Sequence, residues 1–323
     1  MDEAVRIKLP MDWRRVVAYS ATYLFWGASF LAIREIVAVA PPFLSAGVRF
    51  TIAGLILFLW MRLRGAPRAT WRQWASCAVL GLIMFSINYG CLFWAEQRVA
   101  SGYAAVISAT IPVWIFMGEW LILGAVSPSA VAVAGILGGL AGIALLVLPG
   151  SGATRINPAA LALLLGALCW SSGVLWSRRL DIPKSPVESA ALQMGMGGLM
   201  LLGFSATIGE TQQLGSVVAA WTPRLTMDMA YLVLCASIAA FTAFLYLMDR
   251  EPASRVASCS YINPVVAVVI GASVGGERLR PLQIAGAALV ICGVFFTLRG
   301  KMAASRLPED GQLEPAASPK AAN

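Results

Sequence analysis

Two ionisable side chains lie inside long apolar runs of this 323-residue sequence, where residues of this type can carry chemistry. A charge within an apolar span is costly and is by default a functional hypothesis. Arg49 lies about six residues into its run, so snorkelling to the interface only partly relieves the cost. Glu119 lies late in another run. It either reaches the interface or forms a protonatable site, and the sequence leaves both interpretations open.

Uncharged polar and aromatic residues within the apolar runs form a second group of candidates. Trp26 and Trp170 lie deep in their runs, where tryptophan more often faces protein or a cavity than lipid. Amides and hydroxyls at such depth either line a cavity or join two helices, a contact worth roughly 0.6 kcal/mol on average. The candidate binding residues are Trp26, Phe30, Asn88, Tyr89, Ser108, Trp170, Tyr261 and Asn263.

Two prolines, Pro112 and Pro264, fall in the middle of apolar runs. A proline inside a helix frees a carbonyl group and kinks the chain. Within a membrane this is tolerated where neighbouring helices or a water-filled cavity satisfy the freed groups. We therefore expect both prolines to shape a central cavity and to act as hinges, with a simple packing kink as the alternative.

Several kinds of chemistry lack the residues that they require. The chain has no histidine, and its six cysteines lie in apolar runs without paired spacing, so neither a metal site nor a cofactor is predicted. The net charge of +8 comes from basic residues spread between the apolar runs, which argues against a nucleic-acid-binding face. A membrane-embedded enzyme would need a histidine, an aspartate cluster or a Cys–His pattern.

The elements that must position these residues are membrane spans. Hydrophobic residues make up 59% of the chain and charged residues 12%, against about 25% charged in an average soluble domain. A span needs about 20 mostly apolar residues. The sequence predicts ten spans and an all-α polytopic membrane protein, with spans at residues 16–36, 43–61, 74–94, 101–123, 129–148, 159–177, 187–208, 228–248, 253–275 and 281–298.

The chain also repeats itself. Trp26 and Trp170 lie 144 positions apart (170 − 26 = 144), as do Arg34 and Arg178, and the two mid-run prolines lie 152 apart. Each copy holds five spans, so the second copy crosses the bilayer in the opposite sense, as in many secondary transporters. The predicted organisation is an N-terminal segment 1–15, a first repeat 16–148, a linker 149–158, a second repeat 159–298 and a disordered tail 299–323.

The order of motifs resembles the EamA-type repeats of the drug/metabolite transporter superfamily. The second copy has a small-residue helix entering Asn263-Pro264, then the turn Gly276-Glu277-Arg278-Leu279 and a glycine-spaced last helix. The first copy has Trp26-Gly27 and the run AGVRF at residues 46–50, and Arg49 matches an arginine of the family's second span. One departure concerns Glu277, whose counterpart at the 152 offset is Ala125. We therefore expect this turn of the first copy to lack the contact that Glu277 makes.

Topology follows from the basic residues. Lysine and arginine are more frequent on the side of the N-terminus, which predicts a cytoplasmic N-terminus and, with ten spans, a cytoplasmic C-terminus. Dense glycines in the fifth and seventh spans predict close helix contacts, either within one protomer or between two, which leaves a homodimer open.

The resemblance implies an alternating-access transporter in a bacterial inner membrane. We expect an exporter of small organic metabolites such as amino acids, with the solute and the lipid bilayer as its partners. A channel or passive facilitator is the main alternative, although no ring of repeated charges marks a polar pore.

Overall fold

The computed structural model describes residues 12–124, 129–147, 157–251, 256, 259–278 and 281–304. The helices of the first half are α1 Trp13–Val37, α2 Pro42–Leu63, α3 Trp71–Leu80, α4 Asn88–Glu96, α5 Ser101–Ser108, α6 Ile111–Leu121 and α7 Ala130–Val147. Those of the second half are α8 Pro158–Ser177, α9 Pro186–Thr207, α10 Leu214–Ala220, α11 Pro223–Tyr231, α12 Ala240–Arg250, α13 Cys259–Ser273 and α14 Pro281–Ala304.

Local sequence signals explain where the helices begin. The side chains of Asp12, Thr70, Asn157, Ser185 and Thr222 each accept a hydrogen bond from a backbone N–H in the first turn of the following helix. Prolines occupy the first turn of α2, α6, α8, α9 and α11, where a missing N–H costs nothing. These signals fix the residues at which the helices begin.

The predicted fold class is confirmed. Seven helical stretches of the described chain are long and apolar enough to cross a membrane, and α7, α13 and α14 contain three shorter apolar stretches. The third span consists of α3, a π-helical segment Gly81–Ile87 and α4, and the eighth consists of α11, a π-helical segment Leu232–Ala239 and α12. The protein is an all-α polytopic membrane protein.

Three local features add to the predicted pattern of spans. The fourth span is broken at residues 109–110 into α5 and α6, because Pro112 enters the first turn of a new helix. The stretch 209–227, expected to be a loop, contains a 3-10 turn and the helix α10. The last helix continues to Ala304, into the segment expected to be disordered, since RGKMAA contains good helix formers. Residues 305–323 lie outside the described residues.

Glycine contacts join helices that are related by the repeat. In the fifth and tenth spans, a Cβ on Gly135 would lie 2.4 Å from the backbone nitrogen of Thr297, and one on Gly293 would lie 2.5 Å from that of Gly139. In the second and seventh spans, a Cβ on Gly54 would lie 2.4 Å from the backbone nitrogen of Gly195. The predicted glycine interfaces therefore form within one chain, and the homodimer stays a prediction.

The two π-helical segments occupy equivalent positions in the two repeats. The N–H of Asn88 bonds to the carbonyl of Ile83, and the N–H of Ala240 bonds to the carbonyl of Cys235, each five residues back. Both partners match at the repeat offset (240 − 88 = 152 and 235 − 83 = 152). A π turn widens the helix and often marks a functional site. Both segments lie beside the cavity described next.

Candidate functional site

A cavity of about 550 Å³ lies between the two repeats. Its wall takes residues from the first, second, third and fourth spans and from their repeat mates, the sixth to the ninth. The lining side chains are mostly apolar or aromatic, with a few polar groups among them. This composition is typical of a small-molecule site.

The structure brings the residues predicted from the sequence together at this cavity. Its lining includes Trp26, Phe30, Arg49, Asn88, Tyr89, Ser108, Pro112, Glu119, Trp170, Asn263 and Pro264. The side chain of Tyr261 lies outside the described residues. Because lining a cavity is not binding a solute, the binding role of each residue stays a prediction.

One wall of the cavity is an aromatic cluster formed by the second, third and sixth spans. The ring of Trp170 meets those of Phe85 and Tyr89 edge to face, with centroid distances of 5.9 and 6.1 Å. Tyr89 lies 4.5 Å from Phe50, centroid to centroid. Such edge-to-face contacts hold the rings in defined orientations. The cluster offers a fixed aromatic surface to any cavity occupant.

Trp26 lies on another wall and bridges the two repeats. Its indole Nε1–H donates a 3.0 Å hydrogen bond to the carbonyl of Ala236, within the second π-helical segment. Its ring lies 5.2 Å from that of Phe244. The indole N–H is therefore engaged by protein, and what Trp26 presents to the cavity is ring surface.

Arg49 is buried in the cavity wall, with only 2% of its surface exposed. Its Nε donates a 3.0 Å hydrogen bond to the Ser237 hydroxyl in the second π-helical segment. The guanidinium carbon lies 4.7 Å from the ring centroid of Phe50 and 5.4 Å from that of Tyr89. Within the described chain, its buried Nη1 has no hydrogen-bond partner and no carboxylate lies within 4.0 Å.

A second buried polar atom in the lining also lacks a partner. The Oδ1 atom of Asn263 makes no hydrogen bond within the described residues. Asn88 differs, because it also faces a neighbouring helix. A Cβ on Gly166 would come within 2.9 Å of its Oδ1. Asn88 therefore contributes to helix packing as well as to the lining.

The two prolines line the cavity in different local structures. Pro112 follows the break in the fourth span and cannot donate to the carbonyl of Ser108, four residues back. Pro264 lies inside the continuous helix α13 and likewise leaves the carbonyl of Ser260 without its helical donor. The expected pair of mid-span prolines is present, but only the first interrupts its span.

One ion pair lies at the mouth of the cavity, on the face where α1 begins, called here the N-terminal face. The Nη1 atom of Arg178 lies 3.0 Å from Oε1 of Glu119. The Glu119 side chain is 5% exposed and that of Arg178 is 61% exposed. Both residues line the cavity, which therefore extends to this face. Glu119 is thus buried against an arginine that reaches solvent.

The opposite face is closed by a cluster of polar contacts, called here the opposite-face cluster. Arg34 Nε lies 3.1 Å from Glu277 Oε1. Glu277 also accepts hydrogen bonds from the backbone N–H and the hydroxyl of Ser101, at 3.0 and 2.9 Å. Arg34 in turn donates to the backbone carbonyl of Val99. Neither Arg34 nor Glu277 lines the cavity.

The first repeat has a counterpart of the Glu277 contact, made by a residue outside the turn at Ala125. Ala125, the residue at the repeat offset, lies outside the described residues. Glu119, six positions earlier, makes the ion pair with Arg178 instead. Glu119 lies on α6, before the turn at Ala125, and reaches Arg178, the repeat mate of Arg34.

Sequence reasoning left several lining residues out of the predicted binding set. The repeat offset of 152 relates Tyr89 to Phe241 and Leu92 to Phe244, and all four line the cavity. The repeat offset could therefore have predicted that Phe241 and Phe244 line the cavity. Ser237 gave no such signal, because its counterpart is Phe85. Among the described residues, no cluster of three or more His, Cys, Asp or Glu side chains could hold a metal ion.

Comparison with known proteins agrees with this architecture. The EamA-like transporter family matches the chain twice, at residues 16–148 and 157–299. The chain is 32% identical to the "Uncharacterized inner membrane transporter YedA" of Escherichia coli K12, over 88% of this chain and 90% of that protein. It is 25% identical to the "Uncharacterized transporter YvbV" of Bacillus subtilis, over 84% and 87% of the two chains.

A protein of known crystal structure shares the fold. It superimposes with a TM-score of 0.59, over 92% of this chain and 99% of that chain, at 22% identity. The two family matches, with the cavity between the repeats, define a membrane transporter built from two inverted repeats. The chain belongs to the EamA-like transporter family.

Proposed function

We propose that this protein is an alternating-access carrier that exports small organic metabolites, such as amino acids, across a bacterial inner membrane. One observation carries the proposal. The cavity between the repeats extends to the N-terminal face, while the opposite-face cluster closes the other side. An arrangement with one open and one closed side is a state that alternating access requires.

The lining supports an amphipathic solute. A volume of about 550 Å³ suits a molecule of metabolite size. The aromatic cluster around Trp170 provides apolar contact area. The unpartnered Oδ1 of Asn263 favours a solute with an N–H donor, because a buried acceptor left without a donor is costly.

The direction of transport depends on the orientation in the membrane. With a cytoplasmic N-terminus, the open side of the cavity faces the cytoplasm, so the carrier loads from inside the cell. Cysteines introduced at Val5 and Asp310 test this orientation in intact cells. Neither should react with an impermeant reagent, and strong labelling of either would contradict the topology.

The proposed activity is tested with purified protein in liposomes. We expect uptake of one or more labelled metabolites to saturate with concentration and to show counterflow, which an open channel does not. Flux that rises linearly with concentration and lacks counterflow would favour the channel. A covalently altered solute would instead point to an enzyme.

A further inference from the structure

The unpartnered donor of Arg49 points to the class of solute. Burying an ionised side chain without a partner costs several kcal/mol, so such groups are normally paired. Arg49 has only one hydrogen bond in the described chain, from Nε to Ser237. Its Nη1 is buried and makes none. No described carboxylate therefore contacts this guanidinium, and Glu96 acts on it only through its charge, without an ion pair or a hydrogen bond.

The charged groups around the cavity give this cation no direct partner among the described residues. At the mouth, Glu119 and Arg178 form an ion pair, so their charges offset each other. Glu96 is buried one turn beyond Leu92, outside the lining, and its carboxyl oxygens make no hydrogen bond to a described residue. Its charge acts on both Arg34 and Arg49 without touching either guanidinium. The remaining charged groups of that region, Arg34 and Glu277, pair with each other. Among the described lining residues, Arg49 is thus the one cation that no carboxylate contacts.

The guanidinium is also held in a fixed orientation. Ser237 fixes Nε from the second repeat, and the rings of Phe50 and Tyr89 contact the group from the first. A planar guanidinium binds a carboxylate with two parallel hydrogen bonds when its orientation is fixed. One cation beside an aromatic wall matches a solute with a single carboxylate on an apolar body.

We propose that Arg49 binds the carboxylate of the transported solute, whose apolar body packs on the aromatic cluster around Trp170. This inference rests on the proposed carrier function and narrows its substrate class to amphipathic carboxylates, amino acids included. Because Arg49 belongs to one repeat and Ser237 to the other, a solute bound at Arg49 contacts the place where the repeats meet.

The test compares ligands that differ only in the carboxylate group. Purified protein in detergent is mixed with millimolar 3-phenylpropionate, hexanoate or L-phenylalanine, or with the carboxamide of each, and the thermal midpoint is measured. A ligand that binds only the folded state raises that midpoint. We expect at least one carboxylate to raise it and its carboxamide to bind about tenfold to a hundredfold more weakly. No stabilisation by any carboxylate, or equal effects of acid and amide, would overturn the proposal.

Variants of Arg49 test whether this residue causes the preference for the carboxylate over the carboxamide. R49Q should remove the preference for the acid over the amide, and R49K should keep part of it, because lysine retains the charge but not the planar fork. R98Q is the matched control, since Arg98 is exposed and outside the lining. An acid preference that persists in R49Q would overturn the assignment. The wild-type series decides the question if both Arg49 variants fail to fold.

The measurements of binding and of transport test the Arg49 site and the carrier function separately. Carboxylate binding without counterflow would contradict the carrier function and leave the Arg49 site intact. Counterflow of phenethylamine or of 3-phenylpropanamide, without stabilisation by any carboxylate, would contradict the Arg49 site and leave the carrier function intact.

Discussion

Arg34 and Arg178 occupy equivalent positions in the two repeats, and each pairs with a carboxylate of the other repeat at opposite faces of the protein. Arg34 of the first repeat pairs with Glu277 of the second, and Arg178 of the second pairs with Glu119 of the first. The same contact is thus formed twice, once at each face. The cavity reaches the pair at the N-terminal face but not the pair at the opposite face.

Weakening the opposite-face pair should expose the cavity from that side. In E277Q the ion pair with Arg34 is lost, and loss of a charged hydrogen bond costs roughly 1.5 kcal/mol or more, about tenfold in a two-state equilibrium. A reporter cysteine at Leu92, in a background without the six native cysteines, should then react about tenfold faster from the opposite face.

The control for this experiment is E35Q. Glu35 lies beside Arg34 in sequence and pairs with Arg224 at 3.6 Å, yet it does not contact Glu277. The labelling rate at Leu92 should remain at the wild-type value. Equal labelling in E277Q and wild type would show that the pair does not hold this face closed.

The coupling role of Glu119 can be tested by removing its titration. E119Q keeps size and hydrogen-bonding capacity. If Glu119 carries a proton, this change should abolish accumulation driven by a pH gradient and spare solute counterflow. We expect instead that the wild-type carrier moves its solute down the solute gradient without a coupled proton. Its flux should therefore ignore an imposed pH gradient. Wild-type flux that follows the gradient would contradict this expectation.

Replacing the prolines should slow transport without loss of folding. In P264A the missing N–H is restored inside a helix, where intrinsic helix propensity improves by about 3 kcal/mol. In P112A the gain is small, because proline is well tolerated in the first turn of α6. We expect normal amounts of folded protein and a lower counterflow rate. The larger effect should come from P112A, since Pro112 lies at an observed break. Wild-type rates in both variants would leave the prolines as packing kinks.

Tryptophan replacements should weaken solute binding. W170L removes an edge-to-face partner of Phe85 and Tyr89, and such contacts are worth about 0.5–1.5 kcal/mol each. We expect the half-saturating solute concentration to rise severalfold. W26L should also lose the hydrogen bond to Ala236, so its maximal rate should change as well. Unchanged solute affinity in both variants, with normal expression, would show that the two tryptophans serve only in helix packing.

The glycine interface between the fifth and tenth spans offers a matched pair of substitutions. In G135A the new methyl group meets the backbone of Thr297, so the helices must separate, at a cost of roughly 1–3 kcal/mol. In G138A nothing lies within 4 Å, and stability should stay the same or rise by up to about 1 kcal/mol. Thermal unfolding in detergent measures both, and equal midpoints would contradict the interface.

The spans and most of the cavity could be predicted from the sequence because their signals are local. An apolar run of fixed length defines a span, and a tryptophan or asparagine inside it is conspicuous. The repeat offset then relates one half of the cavity to the other. Trp26, Trp170 and Asn263 were found in this way, and the structure places all three in one lining.

The ion pairs and the π-helical segments could not be predicted, since they depend on tertiary contacts. Arg34 and Arg178 were recognised as repeat mates, but no local pattern shows that each pairs with the other repeat. Glu119, six residues before the offset position Ala125, forms the pair with Arg178, which the sequence offset alone does not indicate. The depth of Glu96 was also missed, because the third span continues two residues beyond its predicted end.

The π-helical segment of the eighth span has a consequence for insertions and deletions. A π turn holds one residue more than an α turn, so deleting one residue from Leu232–Ala239 would restore an α-helix. The rest of the span would keep the direction that it faces, because the wide turn absorbs the extra residue, and the change would fall on the residues of the segment itself. The carbonyl that Trp26 uses and the hydroxyl that Arg49 uses would turn away together. One extra residue in this segment therefore sets the positions of both hydrogen bonds between the repeats, from Trp26 and from Arg49.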